Sequence, residues 1–382
     1  MMSTVSACFE KIQNDTESHA RLGRVRTARG SFETPGFLPV GTQGSVKSIS
    51  PRELIEAGTQ AILCNTYHLY VRPGLEVIER AGSLHRFIGW DKPILTDSGG
   101  YQVFSLTKMR KLTREGVEFN SHFDGRKIFL SPEIVMHIQS VLQSDIAMVF
   151  DECPPAESDK AYLKNSLDLT VEWARRSKQA HQNMSRDGVT PSLLFGIIQG
   201  GRFLDLRQES LERTVEIGFD GYAVGGVSVG EPHEQIEEVV REMGNRLPEH
   251  QVRYLMGVGT PKDLFMGVEA GFDFFDCVNP TRYGRNGSAF TSTGRLVIRN
   301  AKYTFDQKPI DETCGCYACR HFSRSYIRHL INCEEILGAR LLSLHNVHFF
   351  LNLMRRMREA IQTGTFAALK KEFESHYEDD LR

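Results

Sequence analysis

"KPILTDSGG", residues 92–100, is a short apolar run that stops in Asp97, Ser98 and two glycines. The same theme recurs along the chain. Before it come "GFLPVGTQG" (36–44) and "QAILCNTYHL" (60–69). After it come "DIAMVFDEC" (145–153), "SLLFGIIQGG" (192–201), "GYAVGGVSVGE" (221–231), "RYLMGVGTP" (253–261) and "FDFFDCVNPTR" (272–282). Continuous apolar runs suit parallel strands covered on both faces. Several are separated by amphipathic segments. In "SPRELIEAGT", Ser50 can cap a helix that has Pro51 at its first position and Glu53 in its first turn. Ile236, Val239, Val240 and Met243 recur at helical spacing, with Gly244 as a natural terminator. "TPKDLFMGVEAG" repeats the grammar. Eight strand-then-helix units argue for an α/β fold of the (β/α)8 TIM-barrel type, whose strand C-terminal ends carry the site. The alternative is an open doubly wound sheet, but the chain lacks a G-x-G-x-x-G after its first strand.

One interruption stands out. "GVEFNSHFDGRKIFLSPE" (116–133) alternates around "FDGRK" and reads as an inserted β-hairpin. From about residue 311 the composition changes to Cys-rich, then basic-aromatic, then helical. The expected organisation is a catalytic barrel over 1–310, a zinc-binding lobe over 311–348 and a helical segment over 349–382 packing on the barrel. No run approaches the roughly 18 apolar residues of a membrane span, and the polar N-terminus lacks the apolar core of a signal peptide. The cytoplasm is therefore the expected compartment. There, eight cysteines in a long chain are better read as free, metal-bound or catalytic than as disulfides. A net charge of −2 means that any nucleic-acid contact comes from local patches.

Cys314, Cys316 and Cys319 in "DETCGCYACR" place three thiolates within reach of one soft cation. Tetrahedral zinc takes four N/S ligands. Candidates for the fourth are His321, His329, Cys333, His345 and His348, the last two in "SLHNVHFFLNLMRRM", which reads as a helix start. Four protein ligands leave no open position, so the site would be structural and would staple a lobe with little core of its own. Beside it, Arg320, His321, Arg324, Arg328 and His329 interleave with Phe322 and Tyr326, a stripe suited to nucleic-acid backbone or to a solvated helix face.

The chemistry belongs at the strand ends. Asp97 and Ser98 follow the third run, Asp151 the fourth and Gln199 the fifth. Gly225 and Gly226 follow the sixth, Gly257 and Gly259 the seventh, and Asp276 the eighth. Unpaired buried carboxylates are costly, so three aspartates on one rim favour a site over packing. Two carboxylates with separate roles are what glycosyl transfer needs, one attacking the anomeric carbon and one moving a proton. A third, beside Gln and Gly backbone groups, can read the amide and amino edge of a purine. No phosphate-cradling loop, HExxH or GxSxG is present.

"TDSGGYQVFS", "FDECPP", "YAVGGVSVGEP", "MGVGTP", "FDCVNPTRYGRNG" and the C-x-C-x2-C…H pattern appear in order over nearly the whole chain. In this the chain resembles the bacterial-type tRNA-guanine transglycosylases, also called queuine tRNA-ribosyltransferases. The resemblance implies a (β/α)8 barrel with insertions and a zinc-bearing lobe near the C-terminus. It implies exchange of guanine at the anticodon wobble position of tRNA for a 7-deazaguanine base, in queuosine biosynthesis, and a homodimer. It assigns Asp276 as nucleophile and Asp97 as general acid/base. Ser98 would orient groups in the pocket, and Tyr101 and Met256 would sandwich the base. Asp151, Gln199 and the Gly226 backbone would bind its polar edge. Arg282 and Arg285 would hold RNA. The zinc ligands implied are Cys314, Cys316, Cys319 and His345, one ion per chain.

One segment departs from the common "GGLAVGE" form, with Val227 and Ser228 in "GGVSVGE". Cys153 and Val229 resemble the bacterial branch, which implies 7-aminomethyl-7-deazaguanine as the base in place of the larger queuine. Three rival readings make different demands on the sequence. A non-catalytic RNA-binding member of the fold would lack one of the two key aspartates. A zinc-dependent barrel hydrolase needs His and Asp ligands at the strand ends. An archaeal-type member carries a further RNA-binding domain.

Overall fold

The computed structural model describes residues 8–106, 110–186 and 192–378. Each of the eight apolar runs contains a strand: β1 (Gly36–Pro39), β2 (Ile62–Cys64), β3 (Ile94–Thr96), β4 (Ile146–Met148), β5 (Leu193–Ile198), β6 (Gly221–Val224), β7 (Val252–Leu255) and β8 (Phe274–Cys277). All are parallel, in the order β1-β8-β7-β6-β5-β4-β3-β2. A parallel bridge between Val40 and Leu63, with Gly41 N–H donating to Leu63 O at 2.6 Å, joins the two ends of that order. The sheet is therefore a closed barrel, and the open doubly wound alternative is excluded. Its strands are buried almost without exception, which is why they read as unbroken apolar runs.

The helices begin where the local chemistry demands. Ser50 and Glu53 form a reciprocal capping box at Pro51–Glu56, and Thr260 with Asp263 does the same at Pro261–Glu269. Gly244 does not end its helix. His233–Arg246 runs through it, because a Cβ there would lie 2.2 Å from Ala270 O. The glycine permits close packing, which sequence punctuation cannot distinguish from a stop.

The insertion holds the expected hairpin, Val117–Asn120 with Lys127–Leu130, and a third antiparallel strand, Arg110–Leu112. The N-terminal region, unassigned from sequence, forms an antiparallel sheet from Phe9–Asn14, Arg21–Thr27 and Gly30–Thr34. Arg21 fastens it to the N-terminal ends of the barrel strands through a buried two-point pair with Asp273, just before β8.

The C-terminal organisation is more continuous than its composition suggests. A separate core joins Cys316, Cys319, Ile327, Leu330 and Leu342 to Ala289 and Leu296. The hairpin Ser288–Thr291 with Gly294–Val297 thus contributes to the lobe although it precedes residue 311. The helix Ile336–Thr363 runs unbroken through residue 348, so one helix serves both the lobe and the barrel. His345 therefore lies deep inside a helix and not at its start. Asn346, fully buried beside it, accepts from Phe290 N and donates to Pro280 O and Ser288 O, at 2.9, 2.9 and 3.1 Å. These bonds tie the lobe to the segment that follows β8.

Candidate functional site

Asp97 follows β3 with 8% of its surface exposed. It accepts from the Asn65 side chain and, at 2.9 Å, from the Thr66 backbone N–H. Burial pushes its carboxyl up to about 7. The donors Asn65, Thr66 and Gln102 oppose that shift, and the charge of Asp276 adds to it. Asp276 sits in β8 and accepts on Oδ1 from Tyr254 Oη at 2.6 Å and from Gly257 N–H at 2.9 Å. Its pKa is raised by burial, with these two donors pulling toward the anion. Tyr254 stays a neutral donor, because burial and the Asp276 charge hold its phenol far above its ordinary value. Gly257 lies at the strand end where the sequence places it, whereas Asn65, Thr66 and Tyr254 are not singled out in the sequence. Asn65 and Thr66 fall at a strand end in "CNTYHL", the one signal that could have found them.

Asp151 forms a second centre. Ser98 Oγ donates to its Oδ1 at 2.7 Å and Gln199 Nε2 to its Oδ2 at 2.8 Å. All three residues are buried, and burial raises the Asp151 pKa against those two bonds. Gln199 Oε1 is buried and has no partner among the described residues. An acceptor left bare in this way suits a donor brought by a ligand. Gly226, with φ +58, wraps this centre so closely that a Cβ would lie 2.3 Å from Gln199 Oε1. Met256 follows β7, with its sulfur 3.5 Å from the place a Gly225 Cβ would take. Tyr101 is half-exposed on the helix Gly100–Leu106. The fold thus brings Asp97, Ser98, Asp151, Gln199, Gly226, Met256 and Asp276 to one end of one barrel.

The segment with Val227 and Ser228 is held from within. Val227 is buried, Ser228 takes φ +64, and the Glu231 carboxylate accepts from the backbone N–H groups of Ser228 and Val229.

A family profile described as Queuine tRNA-ribosyltransferase matches residues 15–379. The chain belongs to the queuine tRNA-ribosyltransferase family. A Queuine tRNA-ribosyltransferase of Francisella tularensis subsp. novicida is 54% identical over 361 residues, covering 94% of this chain and 97% of the relative. One from Thermoanaerobacter sp. (strain X514) is 52% identical over 369 residues, covering 97% of each. One from Listeria welshimeri serovar 6b is likewise 52% identical, covering 97% of this chain and 96% of the relative.

In this family member Cys314, Cys316, Cys319 and His345 present ligand atoms that all lie within 4.8 Å of one another. The three sulfurs stand 3.7, 3.4 and 3.3 Å from His345 Nδ1. A tetrahedral ion with bonds of about 2.3 Å to sulfur and about 2.0 Å to nitrogen requires an S···N edge of about 3.5 Å. His345 Nε2 donates to Phe290 O at 2.7 Å, which leaves the Nδ1 lone pair facing the thiolates. The residues therefore fit a metal ion with four protein ligands and no open position.

The basic stripe divides. Arg320 and His329 are exposed. Arg324 is turned inward, donating to Asp306 Oδ2 and Ile310 O, both at 3.0 Å. Arg328 donates to Asn300 O. These two hold the lobe together, so Arg324 and Arg328 drop out of the stripe read as suited to nucleic-acid backbone. Arg282 and Arg285, on the helix that follows β8, are exposed as an RNA contact requires. Among the described residues no helix is long and apolar enough to cross a membrane.

Proposed function

We propose that the chain exchanges guanine at the wobble position of tRNA for 7-aminomethyl-7-deazaguanine in the cytoplasm, through a covalent aspartyl-ribose intermediate. One observation carries this reading. Two desolvated carboxylates, Asp97 and Asp276, share a barrel mouth with the Asp151–Gln199 pair, whose bare Oε1 awaits a donor. The guanine is unstacked from the single-stranded anticodon loop, where extrusion is cheap. Its amide and amino edge meets Asp151, Gln199 and the Gly226 backbone, its faces meet Tyr101 and Met256, and Ser98 keeps Asp151 oriented. Asp276 attacks the ribose anomeric carbon as the bond to guanine breaks. Tyr254 and the Gly257 N–H hold it as an anion, which also stabilises the oxocarbenium-like transition state. The departing base takes its proton from Asp97 in its protonated form. The incoming base loses one to Asp97 as it attacks the same carbon and frees Asp276. A carboxyl titrating near 7 can both accept and release that proton near neutrality. One glycosidic bond is exchanged for another, so the step needs no redox or nucleotide cofactor.

The ion at Cys314, Cys316, Cys319 and His345 is a single structural zinc. Arg282 and Arg285 meet phosphates. The half-exposed Tyr317 and Tyr326, each against the Phe322 ring, form an apolar face on the lobe that a second copy covers in a homodimer. The test is incubation with tRNA and labelled guanine, with and without competing 7-deazaguanines. Wild type should incorporate label and give a tRNA adduct that survives denaturation, and Asp276→Ala should lose both. An adduct from Asp276→Ala would remove that residue as nucleophile.

A further inference from the structure

We propose that Arg207, with Ser210 one turn on, is the positioning element that shapes the base-reading wall and so sets affinity for the base. This rests on the reading of Asp151, Gln199 and Gly226 as the polar contacts to the base. Arg207 lies in the first turn of the helix Leu204–Ile217 and is fully buried. No carboxylate pairs with it among the described residues. Its Nε donates to Gly201 O at 2.9 Å and its Nη1 to Ile198 O at 3.0 Å and Gly225 O at 2.6 Å. Its Nη2 donates to Gly226 O at 3.0 Å.

A buried cation with no direct ion pair, opposed only by the more distant Glu231 charge, is expensive to keep. Here burial lowers its pKa to about 10. An apolar side chain would fill the same space at less cost to the fold. What it could not do is hold four carbonyls from two different loops. One loop follows β5 and carries Gln199. The other follows β6 and carries Gly226.

The consequence follows from peptide geometry. In a trans peptide unit the C=O and N–H point in opposite directions. Drawing the Gly225 carbonyl back onto Arg207 therefore aims the Gly226 N–H away from the guanidinium. The Ile198–Gln199 unit is held at both ends, its C=O by Arg207 and its N–H by Ser210 Oγ at 3.1 Å. With its backbone pinned, Gln199 keeps Nε2 on Asp151 and leaves Oε1 bare. A planar fork is needed to span both loops. Lysine has the charge but not the fork.

The experiment measures steady-state exchange of labelled guanine with saturating tRNA, and guanine binding to the tRNA-free protein by equilibrium dialysis. The variants are Arg207→Lys, Ser210→Ala and Asp151→Asn. Arg207→Lys should raise the guanine KM about tenfold or more, with a smaller fall in kcat, because charged hydrogen bonds to both loops are lost. Ser210→Ala, which removes one hydroxyl from a tight site, should raise it severalfold. Metal content and tRNA affinity should not change. A merely structural role would lower the folded fraction and hence apparent kcat, leaving KM and the guanine Kd at wild-type values. That pattern in Arg207→Lys and Ser210→Ala overturns the proposal, and if Arg207→Lys does not fold, Ser210→Ala decides. If Asp151→Asn also leaves the guanine KM unchanged, the fault lies in the reading of the base pocket itself.

Discussion

Replacing Asp97 by Asn should make the protein more stable, slightly at acid pH and most at neutral and alkaline pH. The buried carboxyl titrates near 7 in the fold and near 4 in an unfolded chain. Between those values the folded state keeps a proton that the unfolded state has released. Stability therefore falls as pH rises from about 4 to about 7 and levels off above that. At about 1.4 kcal/mol per pH unit, the ionised group costs the fold on the order of 4 kcal/mol. Asn carries no such charge. It can still accept from the Thr66 N–H, and the Asn65 amide can turn to present its oxygen. For a chain of this length, on the order of 4 kcal/mol corresponds to about 5 °C in Tm. The assay is calorimetric Tm of wild type and Asp97→Asn at pH 5 and at pH 8.5. The variant should gain about 1 to 2 °C at the lower pH and about 5 °C at the higher. Asp276→Asn serves as control, since the Asp276 charge adds to the Asp97 shift. A Tm difference that is the same at both pH values would refute the assignment of a high-titrating Asp97. In the same variant, exchange should fall by orders of magnitude, while in wild type it should be fastest near pH 7, where Asp97 is present both protonated and ionised.

Cys316→Ser should lose the metal and destabilise the lobe by several kcal/mol, since binding and folding are coupled there; elemental analysis should find one zinc per wild-type chain, and a variant that keeps full metal occupancy would count against the four-ligand site. Asp151→Asn should fold and bind tRNA, but its guanine KM should rise by about tenfold or more, because a charged acceptor becomes partly a donor; unchanged base preference and rate would remove Asp151 from the pocket. Affinity for tRNA should fall with added salt. Arg282→Ala and Arg285→Ala should each flatten that dependence, whereas Arg324→Ala should lower Tm and leave the salt slope alone.

The eight apolar runs and the polar residues that end them were legible because a strand buried on both faces has no room for alternation. Every barrel strand falls inside a run read from the chain, save that β7 begins one residue earlier at Val252, and each run ends where the site begins. The cysteine cluster was legible because thiolate spacing is local, but spacing left the fourth ligand among five candidates, and only the family resemblance named His345. His345 is 26 residues beyond Cys319 in sequence, and only the path of the helix Ile336–Thr363 brings its Nδ1 within 3.3 Å of that sulfur. Gly244 misled because a glycine that ends a helix and one that admits a neighbouring backbone look alike in one dimension. Arg324 misled because a charged side chain declares its sign but not its direction, and Asp306 turns it inward. Arg207 and Tyr254 carried no local signal, since their work lies in bonds to residues far along the chain. The sequence by itself therefore determined the barrel, the rim on which chemistry occurs and the residue types available there. Tertiary structure alone decided which carboxylate is held by which donors, and hence which one titrates near neutrality, because desolvation and hydrogen bonding depend on what the folded chain packs around each group.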